Sequence, residues 1–154
     1  MYFDRVEIAF DAAHRLLNYV GKCASPHGHT YKAEIVVGVQ EPDEVGLAID
    51  FGVLRGKIKA WIDENWDHGF LLNSEDARLI EGLRAIPESK LYLFASANPS
   101  AEVMAEFLFH EVCRQFGGVV VGVRMWESTS QYAEFVPHPS GASLPFPVLA
   151  EVTA

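Results

Sequence analysis

The chain has 154 residues, 49% of them hydrophobic and 21% charged, a balance that fits one domain with a sizeable core and excludes wholesale disorder. Twelve Lys plus Arg against 21 Asp plus Glu leave a net charge of −9, which excludes a broad phosphate-binding surface and, with it, a nucleic-acid partner. No apolar run reaches the roughly 18 to 20 residues that span a bilayer, the acidic, alternating start MYFDRVEIAFD is unlike a signal peptide, and Cys23 and Cys113 are too few for a disulfide scaffold; the expectation is a cytoplasmic protein without membrane contacts, its thiols reduced.

In chain order, Val6, Ile8 and Phe10 alternate with Glu7 and Asp11, the period of a strand with one buried face, running roughly from Phe3 to His14. Tyr31, Ala33, Ile35, Val37 and Val39 repeat that period, and Glu41-Pro42-Asp43-Glu44 ends it. Asp50 can cap a helix whose stripe is Val53, Leu54, Ile58, Trp61 and Ile62. The stretch Asn65 to Pro87 lacks a clean period and reads as a loop with one short helix around Leu79, Ile80 and Leu83. Leu91 to Phe94 is a short strand candidate. Ser100 can cap a second long helix carrying Val103, Met104, Phe107, Leu108, Val112 and Phe116, closed by Gly117-Gly118. Val119 to Met125 and Tyr132 to Val136 read as a final hairpin.

The order β-β-α-α-β-β predicts a single α+β domain over 1–154: a core over about 1–137, built as an antiparallel sheet with helices on one face, and a Pro-rich C-terminal arm over 138–154. Val119-Val120-Val121 is apolar on both faces, which a sheet covered on one side does not need, so a partner subunit is expected on the other.

The chemistry concentrates near one hairpin. His14 ends the first strand, and His27 and His29, two apart on the second, share a face, so pairing brings three imidazoles together. Read singly, each histidine is an ordinary hydrogen-bonded residue. Converging, they suit a catalytic Zn2+ site, three nitrogen ligands with a fourth position open. Cys23, four residues before His27, fits either a fourth ligand or a reactive thiolate beside the metal; the lack of a Cys-x-x-Cys pair favours the proton-transfer role. Asp67-His68 offers an acid and an imidazole for proton movement, although such a dipeptide is also a common solvated turn. Glu127, at the end of an apolar strand, can accept paired N–H donors from a guanidine-like ring edge, or simply face water.

Phe10-Asp11-Ala12-Ala13-His14, Cys23-x-x-x-His27-Gly28-His29, Asp50-Phe51, Asp67-His68 with a following Leu-Asn, Asn98-Pro99-Ser100-Ala101-Glu102 and Trp126-Glu127-Ser128 together resemble the 6-pyruvoyl-tetrahydropterin synthase family. The likeness is greatest to its bacterial queuosine-pathway branch, the 6-carboxy-tetrahydropterin synthases. The resemblance implies a tunnelling fold whose subunits join into barrels, commonly hexamers built as dimers of trimers. It implies zinc on His14, His27 and His29, proton transfer by Cys23 with Asp67 and His68, often across a subunit boundary, and a pterin ring anchored by Glu127. The substrate it implies is 7,8-dihydroneopterin triphosphate. The Asp67-His68-Gly69-Phe70-Leu71-Leu72-Asn73 stretch is one residue longer than the family's usual pattern.

Overall fold

The computed structural model describes residues 1–137, so the proline-rich arm expected over 138–154 lies outside the described residues. The strands are β1 (Tyr2–His14), β2 (His27–Val39), β3 (Gly69–Asn73), β4 (Leu91–Phe94), β5 (Val120–Trp126) and β6 (Tyr132–Phe135); the helices are α1 (Phe51–Asn65), α2 (Ala77–Arg84) and α3 (Ala101–Phe116). They form one sheet in the order β4-β3-β1-β2-β5-β6.

The two alternating segments at the start of the chain pair antiparallel from Tyr2 opposite Val39 to His14 opposite His27. β2 pairs antiparallel with β5, with a bulge at Val36/Val37, and β5 with β6. The other half of the sheet departs from the expected antiparallel plan, because β3 runs parallel to β1 and β4 parallel to β3. β3 is also the strand missing from the sequence reading of 65–87. Its run Gly69-Phe70-Leu71-Leu72 does not alternate in polarity because both faces are covered: Leu71 enters the main core, while Leu72 packs with Ile80 and Leu83 of α2.

α1 and α3 bury one face of the sheet. Asp50 caps α1 by accepting from the N–H groups of Gly52 and Val53, and Leu54, Ile58 and Ile62 then face Val6, Ile8 and Phe10 in the core. Ser100 caps α3, which buries Met104, Ala105, Leu108 and Val112, and Gly117 at φ 72° ends it. α2, by contrast, sits on the opposite face, over β3 and β4.

The rest of that opposite face mixes ion pairs with apolar side chains. Arg124 bridges Glu34 at 2.9 Å and Glu134 at 2.7 Å, and Lys32 reaches Glu7 at 3.1 Å. Within the run expected to need a partner, Val120 is buried and Val121 is half-buried at Gly38, beside exposed Phe3. Among the described residues, β4 and β6 stand at the two edges of the sheet with one side of each ladder unpaired.

Candidate metal centre

β1 and β2 deliver the three imidazoles by register. His14 lies opposite His27, and His29, Tyr31 and Ala33 continue along the same face of β2. One nitrogen from each of His14, His27 and His29 lies within 4.8 Å of the others. The rings are close, at 4.6 Å between the centroids of His14 and His27 and 4.9 Å between those of His27 and His29.

Hydrogen bonds fix two of the rings. The Nδ1–H of buried His14 donates to the Pro99 carbonyl at 2.7 Å, and that of His27 donates to the Ser25 carbonyl at 2.7 Å. The two Nε2 atoms then face each other at 3.2 Å. Two ring nitrogens at that distance share a proton or a metal ion. Nitrogens bound tetrahedrally at about 2.0–2.1 Å from one ion sit about 3.3 Å apart, so the spacing suits a shared metal ion. Burial, the largest influence, lowers the His14 pKa from 6.5 to about 4; the charges of His27 and His29 add to it, while the Pro99 hydrogen bond opposes it. His14 therefore stays neutral, as a ligand must.

The half-buried Glu127, just past β5 on the face of Met125, brings Oε1 to 3.9 Å from His14 Nε2. Cys23, in the short turn Lys22–Ala24, is a free, partly buried thiol whose carbonyl accepts from the Leu16 N–H at 2.8 Å. The site also includes a residue that sequence reasoning placed only in the core. Tyr31 is fully buried, stacks on Phe10 at 5.4 Å, stands edge-on to His14 and His29, and has a hydroxyl without a hydrogen-bond partner among the described residues. Burial pushes that hydroxyl's pKa up, and the charges of Glu127 and Cys23 push it further. The available signal was its position two residues after His29 on the same strand face.

Asp67 and His68 form a real pair, with His68 Nδ1 2.9 Å from an Asp67 carboxylate oxygen. Asp67 also accepts from the Asp11 N–H at 2.9 Å, and Lys90 Nζ donates to the Asp67 carbonyl at 2.8 Å. His68 takes a left-handed φ of 57° and donates its N–H to the Asp11 carbonyl. Burial alone would raise the Asp67 pKa, but the Asp11 N–H, the His68 partner and the charge of Lys59 outweigh it and hold the carboxyl below its usual range. His68 is largely exposed and borders an open cleft that is also lined by Asp11, His29 and Thr30. Among the described residues, no hydrogen bond or ion pair joins Cys23 to Asp67 or His68. One chain thus brings the three imidazoles together with Tyr31 and Glu127, and the Asp67–His68 pair reaches a cleft that His29 shares.

The chain is similar to known proteins in sequence and in fold. A family model described as 6-pyruvoyl tetrahydropterin synthase matches residues 5–138. The 6-carboxy-5,6,7,8-tetrahydropterin synthase of Rickettsia felis is 37% identical over 105 residues, which are 68% of this chain and 75% of that protein. A putative 6-carboxy-5,6,7,8-tetrahydropterin synthase of Pyrococcus abyssi is 32% identical over 136 residues, covering 81% and 83% of the two chains. Among solved structures, an uncharacterized protein from Wolinella succinogenes superposes with a TM-score of 0.74 at 20% identity, over 89% of this chain and 98% of that one. The 6-pyruvoyl tetrahydropterin synthase of Caenorhabditis elegans does so with a TM-score of 0.66 at 16% identity, over 89% and 96%. These neighbours share the mixed α+β sheet architecture, the tunnelling fold. With a family model matched over nearly the whole described chain, this protein belongs to the 6-pyruvoyl tetrahydropterin synthase family.

Proposed function

We propose that the protein is a zinc-dependent lyase that converts 7,8-dihydroneopterin triphosphate and water to 6-carboxy-5,6,7,8-tetrahydropterin, acetaldehyde and triphosphate, a step of queuosine (7-deazaguanine) biosynthesis in the cytoplasm. The observation that carries this reading is the pair of facing Nε2 atoms on His14 and His27 at 3.2 Å, with His29 beside them and Glu127 3.9 Å from His14. Three imidazoles with a position left open are the ligand set of catalytic zinc. The relatives named 6-carboxy-5,6,7,8-tetrahydropterin synthase support the choice of product.

His14, His27 and His29 would hold the ion. When bound, it would polarise the side-chain hydroxyls of the substrate and acidify the hydrogens on the adjacent carbons. Cys23 removes a proton from one of those carbons, and His68, held by Asp67, delivers or withdraws the second. The Glu127 carboxylate accepts from the amino and ring N–H groups of the pterin, which fixes the ring and places its side chain over the imidazoles. As the family resemblance implies, the working site draws Cys23 and the Asp67–His68 pair from different subunits of a homo-oligomer, a hexamer built as a dimer of trimers. The open edges of β4 and β6 offer the pairing surfaces that such an assembly needs.

The test is to incubate zinc-loaded protein with 7,8-dihydroneopterin triphosphate and identify the products by mass spectrometry. A 6-carboxy pterin with acetaldehyde is expected. A pyruvoyl product would move the protein to the triphosphate-eliminating branch on the same site, and no turnover would make it a pterin-binding barrel.

A further inference from the structure

Two residues just past His14, Arg15 and Leu17, are each held by a distant side chain. Arg15 makes a two-pronged ion pair with Asp76, which is 2% exposed and also caps α2. Leu17 is held from both sides by one side chain: its N–H donates to Asn98 Oδ1 at 2.8 Å, and its carbonyl accepts from Asn98 Nδ2 at 3.0 Å. Asn73 Nδ2 donates to the same Asn98 oxygen at 3.3 Å. Asn98 thus pairs with the loop after β1 as a neighbouring strand would. The next residue, Pro99, is buried and presents its carbonyl to His14 Nδ1. On the other side of the clamped Leu17, the Leu16 N–H holds the Cys23 carbonyl at 2.8 Å.

We propose that Asn98 is the positioning residue of the metal centre: by clamping Leu17 it fixes both the Pro99 carbonyl that sets the His14 tautomer and the turn that carries Cys23. This rests on the reading of the three imidazoles as a metal site. Asn98 touches neither imidazole nor thiol, and it acts through the two backbone segments it joins. A ligand histidine is oriented by the acceptor on its other nitrogen, and loss of such a partner weakens metal affinity by about 10- to 100-fold. The Asn98 amide suits both groups of Leu17 because it carries an acceptor oxygen and a donor nitrogen on one carbon.

The experiment measures zinc affinity of the full chain by competition with a chromogenic chelator, for the wild type, Asn98→Ala and Asn98→Asp, each checked for folding by circular dichroism. Asn98→Asp keeps the shape and the acceptor but sets a carboxylate against the Leu17 carbonyl. Val120→Ala, a core truncation on β5, is the control for generally lowered stability. The expected result is binding weakened about 10- to 100-fold in Asn98→Ala and at least several-fold in Asn98→Asp, with Val120→Ala within about twofold of wild type. Cobalt substituted for zinc should give a shifted visible absorption band in the Asn98 variants only. In the metal-free protein, alkylation of Cys23, read on its peptide by mass spectrometry, should change several-fold. Folded Asn98 variants with wild-type zinc affinity and cobalt spectrum overturn the proposal. Wild-type protein that binds no zinc overturns the metal-site reading itself.

Discussion

His14 and His27 point their Nε2 atoms at each other across 3.2 Å while the Nδ1 atom of each is hydrogen-bonded to a backbone carbonyl. The spacing suits a proton shared by the two rings or the edge of a coordination polyhedron about one metal ion. A ligand that binds only the folded state stabilises it by about 2.7 kcal/mol when present at 100 times its dissociation constant. Zinc should therefore raise the melting temperature of the wild type in a scanning-fluorimetry titration. His14→Ala should abolish that rise, and a full zinc response in that variant would remove His14 from the site.

Acid should weaken the metal-free protein through His14. Its folded pKa of about 4 lies below the unfolded value of 6.5, so between those values the unfolded chain binds the extra proton. Above pH 6.5 the group costs nothing; as pH falls through the window towards 4 stability is lost, in total about 3 kcal/mol for that displacement. Urea unfolding at pH 7.0 and 4.5 should show a smaller loss in His14→Gln than in the wild type. Equal losses would place the acid sensitivity elsewhere.

Tyr31→Phe should fold as well as the wild type or better. The hydroxyl is fully buried and has no partner, and removing an unsatisfied buried polar group relieves a cost of about 1 kcal/mol or more. A melting temperature lowered by several degrees would mean that the hydroxyl is paired through a bound water.

Cys23→Ala and His68→Ala should each be inactive alone, with zinc content and assembly kept. Mixed, unfolded and refolded together, they should regain activity, because a site that draws the thiol and the imidazole from different chains is intact at some positions of a mixed oligomer. A mixture as inactive as its components would place both residues in one chain's site.

How much of this was legible in the sequence depends on the range of the contacts involved. β1, β2 and the three imidazoles follow from alternation and a hairpin, and the caps at Asp50 and Ser100 stand where their residue types predict. β3 was hidden because a short strand covered on both faces and paired in parallel loses the alternation that identifies strands. The opposite-face position of α2 depends on β3 and was hidden with it. At the site, His14, His27 and His29 come together as their spacing suggested, Glu127 approaches His14 from the end of β5, and Asp67 pairs with His68. Tyr31 read as core because its period matches Ala33 and Ile35. Asn98 read as the approach to a helix cap, since nothing local marks a side chain bonded to residues 81 positions earlier.

The chain gathers its imidazoles and orients them by contacts of very different reach. His14 meets His27 across 13 positions, but meets the carbonyl of Pro99 across 85. Loop-closure entropy rises with the logarithm of that separation, so during folding the ligands can be near neighbours in a bare hairpin long before anything dictates which nitrogen each presents. A nascent chain with only β1 and β2 formed would hold the imidazoles close together, and the later docking of Pro99 is what fixes which nitrogen His14 presents.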